Sequence, residues 1–496
     1  MTDEKSINQQ IATGAIWMVG ARFAVKGISL VSIMILARLL TPEDFGIIAL
    51  ASSIYAMIEL MRAMGFDTVL IQKQNVGREY YDTAWTLQII FSTFASLIMV
   101  LISEPVANYY GDLRLTPVLW LMAGMTFLNG LTNIGVVEFR KKMDFNKEFL
   151  FQVLVKLSGF LVTVPLAFYW KSYWAMLMGM LSTRFVSVCL SYYMQSFRPR
   201  PSLSKHEDVL GFSSWLFMNN ILVYINQNGQ NFIVAKLLGG QSLGVLSVSS
   251  ELSNMTSDEI IAPINRAAYP GFAKVSNDKI LLKKTYLSIL PYIALLAALA
   301  GFSISALAPV LVKALLGDKW LEGVPIIEII SLASLFMALN TNSGSVFLAV
   351  GRPKILTYLM TVRLLLILPL LFYLIPQFGL MGVAYTFALG AFLLFPLSQY
   401  IAARIVGFSF RELITGIYRP IISGFIMLLL FRFTGLSTYL FDLSDYALIN
   451  LIVSGICSSA IFVFFIVFFW NIAKRPVGAE TLLLDTVRKK LKWGEV

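Results

Sequence analysis

Arg22 and Lys26 stand four residues apart in an apolar stretch, so a helix would place them one turn apart on one face. What such a pair suits is an anion. An ionised basic group at the centre of a bilayer costs at least about 2.5–3.5 kcal/mol unless water or a partner meets it. Arg62, Lys156, Arg184 and Arg363 fall in further apolar stretches, whereas the acids there are fewer: Glu59, Glu251 and Glu328. Pairwise neutralisation cannot satisfy all these cations, and an anionic ligand in a hydrated cavity would. For some of them alternatives stay open. Glu59 and Arg62, three residues apart, can satisfy each other; Lys156, Arg184 and Arg419 can snorkel to an interface. The three acids are candidates for coupling to a proton or sodium gradient, each with an ordinary structural alternative.

A second polar surface lies at 219–231, where Asn219, Asn220, Asn226, Gln227, Asn228, Gln230 and Asn231 crowd one stretch around Tyr224. At 3.6 residues per turn, Asn220, Tyr224, Gln227 and Asn231 share one face, beside a face with Asn219, Asn226 and Gln230. Amides beside a ring suit sugar hydroxyls, because they donate and accept without charge. Hydrogen bonding between membrane helices is the competing use.

Catalytic signatures are missing. The chain has no G-x-x-x-x-G-K-[ST] phosphate loop, no metal-ligand spacing, no nucleophile elbow and no long outer loop to house an active site. His206, in a basic loop, is the only histidine, so a histidine proton relay or metal site within the membrane is not expected. Cys189 and Cys457 both lie in apolar runs and read as small buried hydrophobes. The residues therefore describe a binding and transport protein that is not an enzyme and carries no cofactor.

The elements that must position these groups follow from composition. Of 496 residues 57% are hydrophobic and 14% charged, against about 25% charged in soluble domains, which points to an all-α polytopic membrane protein. A bilayer core about 30 Å thick needs roughly 20 apolar residues per helix. Fourteen stretches qualify: 12–40, 45–66, 83–103, 115–138, 149–170, 173–196, 210–238, 243–265, 286–312, 323–350, 355–376, 379–403, 412–434 and 447–470. The net charge of +11 is mostly topology. Lys and Arg cluster at 140–147, 198–205 and 279–284, which the positive-inside rule places in the cytoplasm together with both termini. Nucleic acid is not an expected partner. The first apolar run exceeds a signal peptide in length and follows an acidic N-terminus, so no cleaved leader is expected.

The sequence also repeats itself. A-R-L-L-T-P-E-D-F-G-I-I-A-L-A-S at 37–52 aligns without a gap on A-K-L-L-G-G-Q-S-L-G-V-L-S-V-S-S at 235–250, and T-N-I-G at 132–135 echoes T-N-S-G at 341–344. Six spans, an even number, separate the copies, so both halves keep one orientation. The expected domains are a six-helix bundle over 1–205, its parallel repeat over 206–405, two additional spans over 406–470 and an amphipathic cytoplasmic tail over 471–496.

A-R-L-L-T-P-E-D-F-G at 37–46, L-I-Q-K-Q at 70–74, F-R-K-K-M-D-F-N-K at 139–147, P-I-N-R-A-A-Y-P-G-F-A-K at 263–274 and L-L-G-D-K-W at 315–320 together resemble the Wzx-type polysaccharide flippases of the multidrug/oligosaccharidyl-lipid/polysaccharide (MOP) superfamily. The resemblance implies fourteen helices in two lobes around a central cavity. It further implies movement of undecaprenyl-pyrophosphate-linked oligosaccharide across the bacterial inner membrane, in exopolysaccharide, capsule or lipopolysaccharide biosynthesis. Lipid-linked oligosaccharide, membrane lipids and a polysaccharide polymerase or export complex become the expected partners. Basic cavity residues on the first two helices are implicated in related flippases, and Arg22, Lys26 and Arg62 occupy comparable places. Two rivals remain. A cation-coupled multidrug exporter of the same superfamily would lean on an acid such as Glu59 or Glu251. A membrane-embedded glycan polymerase or glycosyltransferase would need an outer catalytic loop that the sequence lacks.

Overall fold

The computed structural model describes residues 2–60, 70–71, 77–142, 144–255, 261–435 and 447–475, and every regular element among them is helical. The chain divides into two compact units, Met1–Gly244 and Val245–Val496.

The first unit contains α1 (Thr2–Leu39), α2 (Pro42–Glu59), α3 (Arg78–Tyr110), α4 (Leu115–Gly130), α5 (Val137–Lys141), α6 (Phe145–Trp170) and α7 (Trp174–Met194). It also takes in most of α8 (His206–Ser253). Here α1 packs along α6, α6 along α7, and α3 along α4. Small residues let α6 and α7 approach closely: a Cβ on Gly159 would meet the Thr183 hydroxyl, and one on Gly179 the Thr163 hydroxyl. This is how membrane helices associate when apolar burial gives no advantage over lipid.

The two copies of the repeat break their helices in the same register. In the first copy Thr41 ends α1 and caps α2, its hydroxyl accepting from the Asp44 N–H while the Asp44 carboxylate accepts from the Thr41 N–H, with Pro42 in the first turn. This capping box satisfies donors that an apolar medium would leave orphaned. In the second copy the aligned residue is Gly239, where α8 breaks at φ 82° and ψ 177°, a conformation that favours glycine. The segments then cross reciprocally. A Cβ on Gly46 would lie 1.8 Å from the Gly240 carbonyl oxygen, and one on Gly244 would lie 1.8 Å from that of Pro42. Pro42 aligns with Gly240 and Gly46 with Gly244, so the two contacts are images of each other.

The second unit comprises α9 (Ala262–Lys274), α10 (Lys279–Ala306), α11 (Ala308–Leu315), α12 (Val324–Ala349), α13 (Lys354–Phe378), α14 (Leu380–Val406), α15 (Phe410–Phe433) and α16 (Ala447–Ile472). Its core gathers around α10, which packs on α12 and α15. A buried polar knot pins three helices: the Tyr286 hydroxyl donates to Gln399 Oε1 at 2.8 Å, and Gln399 Nε2 donates to the Ser343 hydroxyl at 2.9 Å. Tyr286 also stacks on Phe408 with centroids 5.0 Å apart.

Among the described residues eleven helices are long and apolar enough to cross a membrane, or twelve if the bent pair Leu115–Gly130 and Ile134–Lys141 is one span. Expected spans 210–238 and 243–265 meet within α8 at Gly239, where two helices join across a kink without a loop. Of span 45–66, α2 reaches Glu59, and 61–66 lies outside the described residues, as does the expected tail beyond Arg475. Span 115–138 bends by 66° near Asn133. That bend is built: Asn133 is fully buried, its side chain accepting from the Gly135 N–H and donating to the Phe197 carbonyl at 2.7 Å.

Candidate functional site

Arg22 and Lys26 lie on α1, both half-buried and each engaged by a neighbouring group. Lys26 is thirteen residues short of Leu39, about 20 Å at 1.5 Å per residue, well inside the apolar stretch. The face of α1 beside them holds Ala21, buried, and Trp17, whose ring meets that of Phe149 on α6 edge-on at 5.1 Å. Arg62 lies outside the described residues. Lys156, on α6, is half-buried and likewise engaged. Arg184 sets its guanidinium 5.9 Å from the ring centroid of Tyr55; a cation over an aromatic face is partly satisfied without an acid.

The amide-rich stretch of α8 divides in its uses. Tyr224 is buried and its hydroxyl donates to the Ser53 carbonyl at 2.6 Å, while Asn231 Nδ2 donates to the Ser53 hydroxyl at 2.9 Å. These two residues therefore hold α8 against α2. Asn226 and Gln230 donate to carbonyls of α8 itself, those of Leu222 and Gln227. Asn220 is half-buried and engaged. Gln227 is exposed, and among the described residues its carboxamide makes no hydrogen bond. Of the four residues on the expected sugar face, the structure thus spends Tyr224 and Asn231 on Ser53 and leaves the Gln227 carboxamide exposed.

The acids are mostly occupied. Glu59 accepts from Asn129 Nδ2 at 3.3 Å. Glu328 pairs with Arg432 at 2.5 Å, joining α12 to α15. Glu251 is half-buried near the end of α8 and engaged. Among the described residues no three His, Cys, Asp or Glu side chains gather as a metal site would require.

Several residues with clear work in the structure were passed over as chemistry in the sequence. Glu43 and Asp112 both pair with Arg114, which joins the start of α2 to the turn between α3 and α4. Burial alone would push the Asp112 carboxyl up, but the hydrogen bonds and charge of Arg114 outweigh it and hold the group below its usual range. Asp44 also accepts from the Tyr173 N–H at 3.2 Å. Lys236 donates to the Tyr109 carbonyl at 2.5 Å and sits 4.0 Å from that ring's centroid. At the other end of the unit, buried Glu148 takes Arg140 at 2.9 Å and Gln152 at 2.7 Å. The T-P-E-D motif and the F-R-K-K-M-D-F-N-K motif with the Glu148 that follows it are thus architectural: caps, clamps and a buried carboxylate. The Thr–x–x–Asp spacing before an apolar run was the available signal for the first of them.

Comparison with known proteins agrees with this architecture. The family described as "Polysaccharide biosynthesis protein" matches residues 35–325, more than half of the chain. The chain is 22% identical to the lipopolysaccharide biosynthesis protein WzxC of Escherichia coli (strain K12) over 84% of its own length and 85% of that protein's. Among solved structures it superposes on the lipid II flippase MurJ in an inward closed conformation with a TM-score of 0.72, at 15% identity, covering 93% of this chain and all of that one. A multidrug resistance MATE family transporter of the MOP superfamily gives a TM-score of 0.62 at 13% identity, over 77% of this chain and 95% of that one. The helical membrane fold is of the MurJ and MATE kind, and the chain belongs to the polysaccharide biosynthesis protein family.

Proposed function

We propose that this protein is a flippase. It moves lipid-linked oligosaccharide, carried on undecaprenyl pyrophosphate, from the cytoplasmic to the outer leaflet of the bacterial inner membrane for exopolysaccharide, capsule or lipopolysaccharide assembly. The observation that carries the reading is Arg22 with Lys26, one turn apart and half-buried inside an apolar span of a polysaccharide-biosynthesis family member. A pyrophosphate needs cations, and these two, with Arg62, supply them. Gln227 and Asn220 suit the glycan. WzxC is named for lipopolysaccharide biosynthesis and MurJ for flipping lipid II, which supports the same class of substrate here. Fourteen spans, two parallel six-helix bundles and two additional C-terminal spans, with the bundles rocking by alternating access and both termini cytoplasmic, are the working mechanism. The reciprocal repeat contact at Gly46 and Gly244 supports that symmetry. A polymerase or export complex would receive the flipped unit. Glu59, Glu251 and Glu328 remain the candidates for ion coupling, although Glu328 already serves Arg432.

The test is complementation in a strain deprived of its own flippase. Arg22→Glu with Lys26→Glu should abolish surface polysaccharide while membrane insertion, read by immunoblot of washed membranes, is unchanged. Undiminished polymer in that variant would remove these residues from the mechanism.

A further inference from the structure

Within the second unit, α12, α13 and α14 border a cavity of about 270 Å³. Its polar lining is Asn340, Thr341, Arg363 and Ser398, and no acid faces it; the rest is almost wholly aliphatic, Met and Phe. Arg363 is half-buried, and among the described residues it makes no ion pair and no hydrogen bond. Thr341 is already used, since its hydroxyl donates to the Ala338 carbonyl and accepts from Asn265. Asn340 is not: its buried Oδ1 accepts no hydrogen bond from the described residues. An unmet acceptor and an unmet cation in one cavity are costly in a protein interior unless a ligand or ordered water answers them.

The polar groups also share a level. Asn340 lies nine residues before the end of α12, Arg363 nine after the start of α13, and Ser398 eight before the end of α14. At 1.5 Å per residue all three sit about 12–14 Å in from those ends. The three ends lie on one side of the unit, because consecutive helices joined by tight turns run antiparallel, and that side bears Arg352, Lys354 and Arg404. A head group would therefore meet one cation and one amide at a single depth, with hydrocarbon walls around them.

We infer that this cavity binds a lipid phosphate, its anionic head on Arg363 and Asn340 and the first carbons of its chain along the apolar wall. A glycan does not fit: the wall offers it almost no partners, and the volume falls just below the range of about 300–1,000 Å³ usual for drug-sized ligands. The site itself rests on the cavity and its cation; only the origin of the lipid rests on the flippase reading.

The experiment is thermal stabilisation of the full-length protein in detergent micelles by farnesyl phosphate, with farnesol and inorganic phosphate as controls, since a ligand of the folded state raises its melting temperature by mass action. Farnesyl phosphate should stabilise, and both controls should fall far short. Arg363→Gln should weaken its Kd by at least about tenfold, the usual consequence of losing a hydrogen bond to a charged group, and Arg363→Lys should recover part of it. Ala391→Leu, which fills the apolar wall and spares the cation, should weaken it too. Displacement by phosphatidylglycerol at equal concentration would assign the site to bilayer phospholipid; its failure to displace would assign it to a prenyl carrier. Equal stabilisation by inorganic phosphate, or an unchanged Kd in a folded Arg363→Gln variant, overturns the site. Arg22→Glu with Lys26→Glu should leave this binding intact, so failure of the flippase assignment at those residues is distinguishable from failure here.

Discussion

The reciprocal crossing of the repeat motifs makes a sharp prediction for Gly46→Ala. The added Cβ would sit 1.8 Å from the Gly240 carbonyl oxygen and 2.5 Å from its carbon, whereas real Cβ atoms essentially never come within 3.0 Å of such neighbours. The backbones must separate by more than about 1 Å, and no side-chain rotamer can absorb the strain, because every atom in the way belongs to main chain. Overpacking of ordinary cores costs about 1–3 kcal/mol, and a backbone clash belongs at or above the upper end. The helix gains roughly 1 kcal/mol from replacing glycine, which leaves a net destabilisation of about 2 kcal/mol or more. Gly27→Ala is the internal control: Gly27 lies in α1 with nothing within 4 Å of its Cβ position, so the same chemical change should be neutral or slightly stabilising. The assay is the apparent melting temperature in detergent, followed by intrinsic tryptophan fluorescence, with Gly244→Ala as the mirror-image variant. Wild-type melting in Gly46→Ala, or equal losses in Gly46→Ala and Gly27→Ala, would refute the close crossing.

Two further outcomes follow from the same geometry. Tyr224→Phe removes the hydroxyl that donates to the Ser53 carbonyl and should cost about 1 kcal/mol of stability, visible as a lowered melting temperature; surface polysaccharide in complemented cells should persist, since the hydroxyl holds α8 to α2, and complete loss of polymer from a well-inserted variant would return it to the substrate face. Asp112 is held below its ordinary range by Arg114, so its contribution is fully present above the unfolded value of about 3.9 and is lost as pH falls through the lower folded value. The melting-temperature gap between wild type and Asp112→Asn should accordingly be constant from pH 7 to 5 and close only below pH 4.

Spacing made much of this legible. Apolar stretches of about twenty residues announce membrane helices, and the gapless match of 37–52 with 235–250 announces the repeat. The cations at Arg22 and Lys26 were legible because charge is rare in such stretches. What the sequence could not separate was the work of the amides. Asn231 and Gln227 are one residue type apart and share a predicted face, yet Asn231 binds Ser53 and Gln227 is exposed. That depends on which helix lies alongside, and helix neighbours are not encoded in a periodicity. Arg363 shows the same limit from the other side. Its charge was visible, but the lack of an acid opposite and the cavity beside it are properties of α12 and α14.

The charge distribution then constrains what the remaining cations can do. Where ion pairs are seen, they join acids near helix ends to basic residues of the same unit: Glu43 and Asp112 take Arg114, Glu148 takes Arg140, Glu328 takes Arg432, and Glu412 takes Lys283. Every such pair draws on a pool of 28 acids against 39 Lys and Arg, so the excess cannot be neutralised by carboxylates of the chain. At helix ends water absorbs that excess cheaply. Deep in a span it does not, and the alternatives reduce to rings, amides and a ligand. Arg184 takes the ring of Tyr55. Arg363 has neither a ring nor an acid among the described residues, only an amide oxygen that still lacks a donor and a cavity open beside it. A cavity that takes an anionic lipid head can leave such a cation unsatisfied while empty, because the ligand completes the site that its absence leaves costly.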